Sequence, residues 1–139
     1  MRTEATASLA AARADVWSFL AEPYHLSDWW PGIAGVEPDR RGFAPGARWQ
    51  VRGTRWTNPI TGRRPMQQLV VVDAIEPFER WQFRLVADRL TVEVRLRATA
   101  PARTEVTVAV VGPFLLGGRR PLARKAVERL RALVQTGET

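Results

Sequence analysis

The sequence predicts an α+β domain in which a curved antiparallel sheet wraps a long C-terminal helix, with two short helices after the first strand. Three observations carry this. From Pro121 to Gln135, Leu122, Ala123, Ala126, Val127, Leu130, Leu133 and Val134 recur at the spacing of one helical face, with Arg124, Lys125, Glu128, Arg129 and Arg131 opposite. Ahead of it, three runs alternate with period two. Trp81, Phe83 and Leu85 alternate with Arg80, Gln82 and Arg84; Leu90, Val92, Val94 and Leu96 with Thr91, Glu93, Arg95 and Arg97; and Val106, Val108 and Val110 with Glu105, Thr107 and Ala109. The connectors Glu76-Pro77, Ala87-Asp88-Arg89 and Ala100-Pro101-Ala102 are short enough for sequential hairpins. A sheet with one apolar face needs a cover, and the terminal helix is the one element large enough to provide it.

The remaining elements follow from local chemistry. Residues 2–10 alternate loosely between polar and small side chains and read as a first strand. From Arg13 to Ala21 the period changes: Val16, Trp17, Phe19 and Leu20 gather on one side of a short helix that Pro23 ends. A second short helix or turn covers His25 to Trp30, broken by Pro31-Gly32. Gly35 to Arg41 reads as extended, followed by a turn over Gly42 to Gly46. Ala47 to Trp56 alternates in part, Ala47, Trp49 and Val51 against Arg48, Gln50 and Arg52, and this leaves its inward face undecided. Thr57 to Pro65, with two prolines and a glycine, reads as a hairpin loop, and Met66 to Ile75 is rich in β-branched residues. Pro121 suits a first helical turn and Gly137 a stop.

Composition bounds the function. A chain of 139 residues suits one domain, 1–139, able to bury about two-thirds of its unfolded surface. No apolar run approaches the ~20 residues of a bilayer span, and Glu4 interrupts any secretory core at the N-terminus. With no cysteine, disulfides and thiolate metal sites are excluded. A cytoplasmic location is the expectation. The net charge of +7 comes almost wholly from arginine, Lys125 being the only lysine. The arginines are scattered, and the densest pairs, Arg40-Arg41, Arg63-Arg64 and Arg119-Arg120, sit beside Gly or Pro. An arginine-biased surface explains this better than a nucleic-acid footprint, which concentrates charge on one face.

Few residues offer catalysis. The lone His25 has Asp28 three residues on as a candidate partner, and no cluster has metal-ligand spacing. A surface or capping histidine is the plainer reading. Ser8, Ser18 and Ser27 lie in no Gly-x-Ser-x-Gly elbow, and no glycine-rich phosphate loop occurs. The six tryptophans, Trp17, Trp29, Trp30, Trp49, Trp56 and Trp81, say more. Each brings a large apolar face with an N–H that wants a partner when buried. Trp17 reads as core, whereas Trp49, Val51, Trp81 and Phe83 fall on apolar strand faces as candidates for a cavity wall.

Three local patterns carry a resemblance. Ala14-Asp15-Val16-Trp17-Ser18-Phe19-Leu20-Ala21-Glu22-Pro23 is similar to a "pa-x-VW-xx-L-xDP" first helix, with Glu22 in place of Asp. Leu26-Ser27-Asp28-Trp29-Trp30-Pro31 is similar to the "W-xP" segment after it. Gly112-Pro113-Phe114 running into Ala126-Val127-Glu128-Arg129-Leu130 is similar to the terminal strand-to-helix passage. Over essentially the whole chain, the sequence resembles the START-like or SRPBCC superfamily of helix-grip folds, which includes polyketide cyclase/dehydrases and lipid-transfer domains.

The resemblance implies a cavity between sheet and terminal helix that holds an apolar small molecule or lipid. It puts Trp29 and Trp30 at a mouth or lid, and Leu122, Ala126 and Leu130 on the cavity floor. The leading expectation is therefore binding, or transport, of an apolar or aromatic small molecule or lipid, with no metal or cofactor. The alternatives are a cyclase or dehydratase acting on a polyketide-like substrate through His25 and Arg52, and a module docking a partner protein or nucleic acid. Arg48, Gln50 and Arg52 reach a ligand only if their strand turns that face inward.

Overall fold

A computed structural model describes residues 1–52, 68–113 and 121–136. Its elements are β1 (Arg2–Leu9), α1 (Arg13–Leu20), a 3-10 turn (Pro23–His25), α2 (Leu26–Trp29), β2 (Gly35–Pro38), β3 (Arg48–Arg52), β4 (Leu69–Glu76), β5 (Arg80–Leu85), β6 (Leu90–Ala100), β7 (Arg103–Val111) and α3 (Leu122–Thr136). The hairpin loop expected over 57–65, Trp56, Arg63-Arg64, Arg119-Arg120, Phe114 and Gly137 lie outside the described residues.

The seven strands form one antiparallel sheet in the order β1-β7-β6-β5-β4-β3-β2. Register keeps the apolar sets in line. Trp81 faces Val94, Phe83 faces Val92, Leu85 faces Leu90, and on the next ladder Val94, Val92 and Leu96 face Val108, Val110 and Val106. A bulge between Val72 and Ala74 resets the phase of β4, so Val70 and Val72 before it and Ile75 after it all pack inward. The extra residue leaves the strand bent, which helps a flat ladder curve around its contents. A second irregularity, between Ala98 and Ala100, follows the last buried residue of β6, Leu96.

On the concave side, α3 rests chiefly on β1 and β7 and against α2. Its Ala123, Ala126, Val127 and Leu130 are buried, whereas Arg124, Lys125, Glu128, Arg129 and Arg131 are exposed, as the helical spacing predicts. Small residues on its inner face let its axis lie close to the sheet. α1 begins without a side-chain cap, at Ala12, and buries Val16, Trp17 and Leu20. The 3-10 turn starts one residue after Glu22, whose carboxylate accepts the Tyr24 N–H at 3.3 Å.

Three polar devices fix the connections. Asp39 accepts the backbone N–H groups of Arg41 and Arg48, at 3.0 and 2.9 Å, and so closes the β2–β3 loop, in which Gly42 and Gly46 adopt φ of 60° and 86°. Gln68, buried just before β4, donates to Asp88 at 2.8 Å and accepts the Ala87 N–H at 2.7 Å, clamping β4 to the β5–β6 turn. Thr104, fully buried, donates to the carbonyl of Ala11 at 2.8 Å and ties β7 to the start of α1.

The β4–β5 turn is unusual. Glu79 N–H bonds to Glu76 C=O at 3.0 Å with Pro77 second and Phe78 third, the type II pattern, and Phe78 takes the positive φ of 66° that glycine normally occupies there. Its ring lies 6.2 Å from that of Trp17, so a contact across the fold offsets a locally disfavoured backbone.

Leu130 is fully buried on the face of α3 that covers the sheet. Replacing it with alanine should cost about 2–5 kcal/mol, the usual range for a leucine cavity. Urea denaturation of Leu130→Ala measures this, and a loss below about 1 kcal/mol would contradict the seating of α3 described above.

Candidate functional site

The inner face of β3–β5 and the short helices meet in a continuous cluster of aromatic rings. Trp29 lies edge-on to Trp30 at 5.9 Å, to Trp81 at 6.2 Å and to Phe83 at 6.4 Å; Trp30 meets Phe83 at 6.0 Å; and Trp81 meets Phe83 at 4.5 Å. Trp49 joins through Trp81 at 5.7 Å. The contacts of Trp29 and Trp30 are the edge-to-face arrangements that aromatic quadrupoles prefer, whereas Trp81 meets Trp49 and Phe83 at a tilt. Trp29, Trp30, Trp49, Trp81 and Phe83 are each at most 2% exposed.

Each ring arrives by a local cause. Trp81 and Phe83 are two apart on β5 and share its inner face. Trp29 ends α2, and Trp30 leaves helical geometry as its C-cap and sets its ring perpendicular to that of Trp29. Trp49 sits on the inner face of β3, and its indole N–H donates to the carbonyl of Gly42 at 2.7 Å.

The structure brings most of the expected site together. Trp29, Trp30, Trp49, Trp81 and Phe83 form the ring cluster, Val51 is buried beside Trp49's face of β3, and Ala126 and Leu130 belong to the same core, with Leu122 half-buried against it. The helical set and the aromatic set occupy different parts of that interior, because α3 lies mainly over β1 and β7 and α2 packs between. Trp29 and Trp30, expected at a mouth or lid, are internal.

One residue was missed. Phe43 reaches into the cluster from the β2–β3 loop, 5.1 Å from Trp81 and 5.7 Å from Trp17, and Trp17 thereby connects the cluster to Phe78. The signal for Phe43 was its place as the large apolar residue inside a glycine-rich turn.

Arg52 is corrected. β3 turns Ala47, Trp49 and Val51 inward, so Arg48, Gln50 and Arg52 lie on the outer face; Arg52 is exposed and pairs with Glu37 at 2.7 Å. The reason is the period of two, which cannot bury both sets. His25 is half-buried at the junction of α1 and α2. Its ring stacks on Phe19 at 4.2 Å, and its Nδ1 lies 2.8 Å from the Phe19 carbonyl. A carbonyl only accepts, so Nδ1 donates, and in the neutral ring the lone pair rests on Nε2. This orients a helix junction, and the ring contact of His25 is to Phe19 and not to the tryptophan cluster. Among the described residues no group of three His, Asp or Glu side chains has metal-binding geometry, and no helix is long and apolar enough to cross a membrane.

The convex face carries the charge. Arg80 pairs with Glu93 at 3.0 Å and Glu76 at 3.3 Å, Arg84 with Asp73 at 2.9 Å, Arg97 with Glu105 at 3.0 Å, and Arg2 with Glu4 at 2.7 Å. An open groove of about 430 Å³ there is lined by Arg13, Glu76, Glu79, Arg80, Arg95 and Arg97 among others. The signs are interleaved across this face rather than gathered into one basic patch. Glu93 sits between Arg80 and Arg95, with a hydrogen bond from each. Partial burial pushes its carboxyl upward, but the bonds and charges of Arg95 and Arg80 outweigh this and hold it below the ordinary glutamate range.

With its apolar interior rich in rings and its charges outside, the domain is a helix-grip α+β fold. The chain belongs to the polyketide cyclase/dehydrase and lipid transport family, whose pattern matches residues 1–136. Solved structures agree on the fold. The Bacillus cereus protein XoxI superposes with a TM-score of 0.70 at 11% identity, covering 99% of this chain and 98% of that one. A Thalictrum norcoclaurine synthase, a point mutant solved with a transition-state analogue, gives 0.68 at 16% identity over 100% and 96%. DynU16, from the dynemicin biosynthetic locus, gives 0.64 at 22% identity; the match covers 98% of this chain but 48% of DynU16. No curated protein sequence matches the chain as a significant relative.

The depressed carboxyl of Glu93 has a consequence for pH. A lowered folded-state pKa adds stability above the unfolded value of about 4.3, and that stability is lost as pH falls through the folded value. Glu93→Gln should therefore lower stability at pH 7, and the gap from the parent should close as pH is taken below about 4. Urea midpoints at pH 7 and pH 3 test it, and an unchanged gap would show that Glu93 contributes no charge-dependent stability.

Proposed function

We propose that the chain binds an apolar, ring-bearing small molecule between the sheet and its covering helices, as a carrier or binding domain. The observation that supports this best is the wall formed by Trp29, Trp30, Trp81 and Phe83: four large rings, all withdrawn from water, on two elements that face one another. Aliphatic side chains fill a core as well and tolerate repacking better. Rings give a ligand flat faces and edges, at the depth where pockets for apolar molecules are mostly apolar with a few polar groups. The family's description, with both cyclase/dehydrase and lipid-transport members, is consistent with this class of ligand.

The cyclase or dehydratase reading ranks second. It requires a group that moves a proton at the ligand, and the interior described residues, apart from the indoles, offer the partnered amide of Gln68, the partnered hydroxyl of Thr104 and the unpartnered hydroxyl of Thr3. Docking of nucleic acid ranks below both, because Arg80, Arg84 and Arg97 of the convex face each pair with an adjacent carboxylate.

Intrinsic tryptophan fluorescence tests the binding reading. A fatty acid, a flavonoid and a polycyclic aromatic are titrated into the folded protein. At least one should give a saturable change in the micromolar range, and Phe83→Ala should weaken it by about two- to tenfold, the scale of a lost aromatic contact. A folded protein that responds to none of the three would end the proposal.

A further inference from the structure

The arginines of the sheet are largely balanced, and the basic residues of α3 are not. On the sheet, Arg52, Arg80, Arg84 and Arg97 each hold a carboxylate at 2.7 to 3.0 Å. On the solvent face of α3, Arg124, Lys125, Arg129 and Arg131 are all exposed, with one acid, Glu128, among them. Glu128 reaches only Arg124, at 4.0 Å, the outer limit of an ion pair. Among the described residues Lys125, Arg129 and Arg131 have no carboxylate in reach. Their placement works against the helix. Arg124 and Lys125 stand in the first turn, where the macrodipole is positive, with no acid beside them. Lys125 and Arg129 are four apart, so like charges neighbour one another along the helix. Cations kept at a cost to the helix that carries them mark a surface shaped by something other than the fold.

We propose that the exposed face of α3 docks an acidic segment of a partner protein, on a surface separate from the interior beneath it. By the helical period, Arg124 and Arg131 lie along one side of that face and Lys125 and Arg129 along the other, with Glu128 between. A segment with aspartate or glutamate on both flanks and a neutral or basic residue at its centre complements this pattern. The positive end of the helix dipole adds to the attraction. Three of the four cations are arginine, which meets carboxylates through paired, planar hydrogen bonds. A uniformly negative surface fits less well. A nucleic-acid backbone or an anionic bilayer brings its charge against Glu128 along with the cations around it. A bilayer also needs apolar side chains to insert. Among the described residues the large exposed ones are Met1, Tyr24, Phe78, Val86 and Val111, and none belongs to α3. Complementarity of this kind acts chiefly on the rate of encounter and the choice of partner, and salt weakens it.

The test titrates the full chain against three probes: a labelled glutamate-rich helical peptide about as long as α3, a labelled single-stranded oligothymidylate, and phosphatidylserine vesicles. Anisotropy reads the first two and co-sedimentation the third. The peptide should bind, and at least about fivefold more weakly when ionic strength rises from about 0.05 to about 0.3 M. Lys125→Glu/Arg129→Glu should weaken it at least about tenfold. The same variant should melt no lower than the parent, since it relieves both the dipole and the like-charge pair. Arg52→Glu/Arg97→Glu makes the same change of net charge on the convex face and should leave binding within about threefold. Arg131→Gln, a milder change at an exposed position, should weaken binding about threefold and gives the answer if the double variant does not fold. Equal losses in the two double variants would reduce the attraction to net charge and overturn the α3 face. Tighter binding of the oligonucleotide or the vesicles than of the peptide would overturn a protein as the occupant. A lowered melting temperature in Lys125→Glu/Arg129→Glu would show that these cations serve the fold, and would remove the reason for the proposal. No peptide binding at the lower salt would end it.

Discussion

Burial of one face of a seven-stranded sheet is the constraint on which the rest depends. Strands β3 to β7 each present apolar side chains inward, from Trp49 through Val72, Phe83 and Val94 to Val108, and water must be kept from all of them. One helix cannot do it. At 1.5 Å per residue, α3 is about 22 Å long, roughly the width of five strands at 4.8 Å, and it lies over the β1–β7 end. The other end is covered by α2, by the loop residue Phe43 and by the bulk of the tryptophans themselves. The aromatic cluster is therefore a structural answer first: it keeps water from the end of the sheet that α3 leaves uncovered.

The same constraint divides the polar chemistry. Each strand has one wet face, so the charges of the strands end on the convex side, where arginines and carboxylates alternate across neighbouring strands. Arg80 and Arg95 stand directly opposite each other in register, an arrangement that repels unless something intervenes, and Glu93 on the next position of the ladder does so. Such exposed pairs add little stability individually. Their effect is to keep the convex side of a strongly basic chain from presenting a single basic face. Inside, each polar atom becomes conspicuous, and the indole nitrogens of Trp29 and Trp81, which make no hydrogen bond, stand out because Gln68, Thr104 and Trp49 are so completely used.

Much of this was legible in the sequence, and the limits of that reading have physical causes. Period-two runs settled β5, β6 and β7, and the 3.6-residue period settled α3, because those segments are long and have one apolar face. The face of β3 stayed open because five residues with arginine on one side and tryptophan on the other give little statistical weight either way; pairing with β4, Trp49 opposite Val70, decides it. The 3-10 turn at Pro23 was hidden because it depends on a single cap by Glu22 rather than on a repeating pattern. Phe43 was missed because a residue in a loop has no period at all, and its position is set by Asp39 closing the turn around it. Of the candidate site, the ring residues were visible as a composition. Their mutual contacts, and which indole nitrogens lack a partner, arise only when separate strands meet. His25 shows the reverse, an apparent catalytic residue whose partners are a neighbouring ring and a backbone carbonyl.

Phe78 bears on how the chain reaches this structure. A hairpin whose turn carries glycine or asparagine at the left-handed position can close by itself and wait for the remainder. The β4–β5 turn instead places a phenylalanine there, and what offsets it, the ring of Trp17, lies some sixty residues earlier in the chain on α1. Closure of that hairpin is thus uphill until a distant helix has docked. A contact between residues this far apart carries a closure cost that grows with the logarithm of the intervening length, and non-local contacts of this kind go with slower folding. This one side chain thus links the geometry of a local turn to a contact some sixty residues away.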